Sequence, residues 1–192
     1  MSIRLPVLGG AGLASVAANL AITVTDASIT AAEADTLAEA TTGLVTATVA
    51  PGTLAANNAF ADSGGQVNNI SFTVTDSTAA AATLNALDAK TTVDIDVSAA
   101  NAISGANADI VTLYGNTANF VGLGNENITA TDASITVAQA VTLLGFTSGS
   151  LTGTITAAGA TTTQLASLAA FDSQIAGTIT NLTLTIDAAT AA

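Results

Sequence analysis

The side chains that carry out most protein chemistry are missing from this chain. Its 192 residues include no histidine and no cysteine. The commonest general base, the thiol nucleophile and the preferred zinc ligands are therefore absent. Carboxylates remain. Asp94 and Asp96 form a close pair on one strand face, and two carboxylates flanking a bond are what glycoside cleavage needs. The simpler reading is that two outward aspartates are solvated or hold a cation. Asp26, Asp76 and Asp132 fall in equivalent turns and would line up along the molecule. Together with Asp94 and Asp96 they are the candidate calcium ligands, with Asn125, Glu126 and Asn127 as further oxygen donors. Calcium takes about six to eight oxygens, and no single turn supplies enough carboxylates. The alternative is that each aspartate braces its own turn. No glycine-rich loop ending in lysine precedes a helix, so a phosphate cradle is not expected. The expectation is a chain without catalytic or cofactor-binding residues, calcium aside.

These carboxylates are set by a unit that repeats. Laying Leu37 on Leu87 brings Thr23-Val24-Thr25-Asp26 onto Thr73-Val74-Thr75-Asp76. Laying it on Leu143 brings TDASIT at 25–30 onto the same string at 131–136. Weaker copies fit around Leu113 and Phe171, which gives about five repeats with a period near 28 and one insertion of roughly 22 residues. Ile22 and Val24, Ile95 and Val97, and Leu151 and Ile155 show the period of two of a half-buried strand. Thr30 with Glu33, Thr136 with Gln139 and Thr161 with Gln164 have capping-box spacing, in which each partner satisfies the other's free backbone N–H. Behind each start apolar residues return every three or four positions, placing one helix stripe on a sheet. Gly43 and Gly149 sit where a left-handed helix cap would fall. Strand, helix and next strand imply right-handed crossovers. The fold expected is a right-handed α/β solenoid of helix-strand repeats, with a parallel sheet and helices on one side.

Residues 1–19 lie outside the repeat and read as an N-terminal arm, followed by the repeat region 20–192 with an inserted loop at 50–69. The arm's apolar Ile3, Leu5, Val7 and Leu8 are the candidate assembly contacts. A basic start and Ser15-Val16-Ala17 also fit a secretory signal over residues 1–17, although three glycines break its apolar core. The run 5–25 is long enough to cross a bilayer, but Gly, Ala, Ser and Thr dominate it, so no stable span is expected. Residues 122–127 break a strand. Asn181 and Leu182 disturb the last one, as a bulge would.

Charged residues make up 8% of the chain, against roughly a quarter in ordinary domains. The surface must therefore be mostly Thr, Ser, Asn and Ala, and such surfaces associate. With 14 acidic residues against Arg4 and Lys90, the net charge is −12, and nucleic acid, which needs a basic face, is not an expected partner. Thr-x-Thr recurs, at 23 and 25, 46 and 48, 152 and 154, and elsewhere, which opens an ice-binding alternative beside plain β-propensity.

Strings such as TDASITAAEADTLAEATTG and LNALDAKTT resemble the Thr/Ala-rich repeats of large bacterial surface proteins, in particular S-layer-like and adhesin-like chains of marine cyanobacteria. The resemblance implies a secreted or cell-surface structural role. A short chain of such repeats also suits a phage virion component. The expectation is a non-enzymatic, self-associating structural protein of a cell or virion surface, homo-oligomeric, such as a fibre, lattice or decoration subunit. The alternatives are a calcium-dependent adhesin module and an ice-binding protein.

Overall fold

The computed structural model describes residues 2–3, 19–62 and 65–180. Over these the chain is mixed α/β. Among the described residues there are six α-helices, α1 (Ala31–Ala40), α2 (Leu54–Asn57), α3 (Ala81–Asp88), α4 (Asn107–Gly115), α5 (Val137–Leu144) and α6 (Thr162–Ala169). The strands form several small sheets in which every pairing is parallel. Ser2–Ile3, Ile22–Val24, Val45–Thr48 and Asn69–Ser71 make one sheet. Thr78–Ala80, Ala102–Gly105, Asn127–Ala130 and Leu151–Thr152 make a second, and Ile135–Thr136, Thr154–Thr156 and Thr178–Thr180 a third. Ile95–Asp96 pairs with Phe120–Val121. A parallel pairing needs a crossover, and a helix lies in most of the crossovers here. Helices α3, α4, α5 and α6 pack in a row, each on the next.

The local chemistry follows the sequence. All three capping boxes are formed. Thr30 N donates to Glu33 Oε2 at 2.8 Å, Thr136 N to Gln139 Oε1 at 2.8 Å and Thr161 N to Gln164 Oε1 at 2.9 Å, with the return bond in each case. The apolar strand positions turn inward. Ile103 and Ile128, neighbours in register, are fully buried. Ala34, Ala81 and Ala140 are fully buried on their helices, and their small size lets helix and sheet approach closely. One continuous apolar core runs from Ile22 to Leu168.

Successive passes of the chain are tied by a buried threonine. The hydroxyls of Thr41, Thr91 and Thr147 donate to the carbonyls of Leu20, Ile70 and Glu126 at 2.7, 2.6 and 2.6 Å, each reaching 21 residues back. Each hydroxyl also accepts from the backbone N–H two residues on, at Gly43, Val93 and Gly149. A second row runs beside it, in which Thr42, Thr92 and Ser150 donate to the side-chain oxygens of Asn19, Asn69 and Asn127, 23 residues back.

Four expectations change. Gly43 and Gly149 are not left-handed caps. A Cβ at Gly43 would lie 2.5 Å from Leu20 O, and one at Gly149 2.3 Å from Glu126 O. Glycine is required there because two backbones touch. The period near 28 is also not the pairing step, since Thr23 pairs with Thr46 and Thr46 with Asn69. The copies seen in the sequence at 23 and 73 are therefore separated by an intervening pass. That pass includes part of 50–69, expected as a loop. It holds α2, with Leu54, Asn57, Phe60 and Asn68 buried, and Phe60 packs on Phe72 with ring centroids 5.7 Å apart. Polar ties hold this segment down. Asp35 Oδ1 accepts from Ala61 N and Asp62 N, Gln66 Nε2 donates to Thr41 O at 2.7 Å, and Lys90 Nζ donates to Phe60 O at 2.7 Å. Finally, Thr152 and Thr154 pair in different sheets, with Thr129 and Thr178, so this Thr-x-Thr pair does not share one flat ladder.

The threonine bracket predicts that Thr91→Val, nearly isosteric, leaves Ile70 O and Val93 N–H without their buried partner and costs about 1–3 kcal/mol. Thr36→Val, at an exposed hydroxyl on α1, should cost far less. Urea denaturation of both variants checks the difference.

Candidate functional site

The candidate calcium ligands do not come together. Asp76 Oδ2 accepts from Leu54 N, the first N–H of α2, and Asp132 Oδ2 accepts from Asn107 N, the first N–H of α4, at 2.7 Å. These aspartates thus cap helices 22 and 25 residues back in the chain. The donors satisfied are orphan helix N–H groups, where negative charge is favoured. α4 has no cap of its own, which explains why it borrows one. The residue that the same reach would give Asp26 falls before Asn19 and lies outside the described residues. Asp94 is exposed beside Asp88, Thr92 and Asn119. Asp96 Oδ1 accepts from Ser98 N at 3.0 Å. The Ser98 hydroxyl, and then its backbone N–H, holds the Asp96 carboxyl below the usual range. Among the described residues no three acidic side chains converge as a metal would require. Of the proposed assembly contacts, Ile3 lies in the strand paired with Thr23 and Val24. Leu5, Val7 and Leu8 lie outside the described residues.

A buried polar site centres on Glu126, which the sequence marked only as a further oxygen donor. The carbonyl partners of the three brackets occupy one repeat position, filled by Leu20, Ile70 and Glu126, so a carboxyl stands where the other copies carry an aliphatic side chain. It is 1% exposed. Its Oε2 accepts from Tyr114 OH at 2.9 Å and from Gly124 N at 2.9 Å. Its Oε1 is buried without a partner among the described residues. Burial, then the hydrogen bond to Glu126 and its charge, pushes the Tyr114 phenol far above the ordinary tyrosine range, so it stays a donor. Tyr114 stacks on Phe146, with centroids 5.1 Å apart and planes 3° from parallel. Gly122 and Gly124, at φ +96 and +121, turn the backbone around the carboxyl in a conformation that favours glycine. Here the chain leaves the pairing of Phe120–Val121 with Ile95–Asp96 and enters that of Asn127–Ala130 with Ala102–Gly105. Glu126 thus fastens the step between two sheets. The signal in the sequence was the break of alternation at GLGNEN; its partner on α4 could not be read.

No family model, curated protein or solved structure matches the chain.

Two outcomes follow. Tyr114→Phe removes one of two donors to a buried carboxyl and should cost about 1–3 kcal/mol. Glu126→Gln keeps an acceptor for both donors and should cost less, as chemical denaturation would show. Because the Asp96 value is depressed in the folded protein, its contribution to stability is present above the unfolded value, about 3.9, and is lost as pH falls through the folded one. Ser98→Ala removes the larger of the two causes and should move the Asp96 midpoint up in an NMR titration.

Proposed function

We propose that this chain is a non-enzymatic, self-associating structural protein of a cell or virion surface, built as a right-handed α/β solenoid. The observation that carries the reading is the parallel ladder. Each strand pairs with a neighbour one pass away, a helix or short turn fills the crossover, and the same buried threonine ties are made three times. Parallel crossovers of this kind are right-handed in nearly all proteins, and stacked units that contact only their neighbours make a solenoid.

Composition supports the rest. With 8% charged residues and neither histidine nor cysteine, the surface is poor in catalytic groups and rich in threonine and alanine. The aspartates at 76 and 132 already serve the fold, which favours a structural role over calcium-dependent adhesion. The split of Thr152 and Thr154 between sheets disfavours an ice-binding plane. The resemblance of the repeats to Thr/Ala-rich bacterial surface proteins supports a cell-surface role, and a short chain of such repeats also suits a virion component.

Sedimentation velocity and negative-stain electron microscopy, over a range of concentrations and with and without calcium, test this. Extended or lattice assemblies that grow with concentration in both conditions are expected. A monomer throughout would exclude self-association, and assembly with calcium alone would favour the adhesin reading.

A further inference from the structure

We draw no further inference here: the strongest candidate, the apolar groove between the start of α1 and α2 lined by Ala31, Ala32, Val49, Pro51 and Ala56, carries nothing because nothing in the structure shows what covers it.

Discussion

The structure depends on close approach between consecutive passes of the backbone, and the buried threonine bracket is where that approach is fixed. A hydroxyl that donates to a carbonyl on the previous pass and accepts from an N–H on its own satisfies backbone groups on both at once. It works only if the two backbones lie almost in contact. Gly43 and Gly149 allow this by having no Cβ, since a methyl there would overlap the carbonyls of Leu20 and Glu126. Fixed this way, the strands of neighbouring passes meet in parallel, and the apolar side chains between them have no room for solvent. The many alanines belong to the same constraint, because larger side chains on the helix faces would push helix and sheet apart.

Polar residues extend the constraint where hydrophobic packing cannot reach. Asp76 and Asp132 reach to the preceding pass to cap α2 and α4, so helix ends become ties between passes. Asp35, Gln66, Asn68 and Lys90 pin the segment that carries α2. Glu126 is the exception that shows the cost. A carboxyl in an aliphatic position is tolerated because Tyr114 and Gly124 donate to it and because the chain must there pass from one sheet to the next. A buried carboxyl with one oxygen lacking a partner among the described residues is a poor source of stability, and its value lies in holding that step.

Much of the local structure was legible. The Thr-x-x-Glu/Gln spacing located three helix starts to the residue, and alternation of apolar residues gave the inward faces. The register was not legible, and the reason is physical. Sequence copies resemble one another when they make the same local turns, whereas pairing joins whatever lies one pass away. Ile22 lies beside Val45, which lines no matching string, and the TDASIT and TDST copies are separated by an intervening pass. The pass through α2 was hidden because four residues are too short for a helical periodicity and because its anchors, Gln66, Asn68 and Lys90, are polar. Nor did spacing show that Asp76 and Asp132 accept from helix N–H groups of another pass. Nothing in spacing alone reveals a partner more than twenty residues away.

The central claim is the pairing step, and the absence of cysteine from the chain gives a clean way to measure it. Strands paired in parallel lie about 4.8 Å apart, within the separation of about 4.4–6.8 Å that a disulfide spans between Cα atoms. Cysteines placed at Thr23 and Thr46 should cross-link on mild oxidation, and cysteines at Thr23 and Thr73 should not. Cross-linking of 23 to 73 with none between 23 and 46 would contradict the account, because it would make the sequence repeat itself the pairing step.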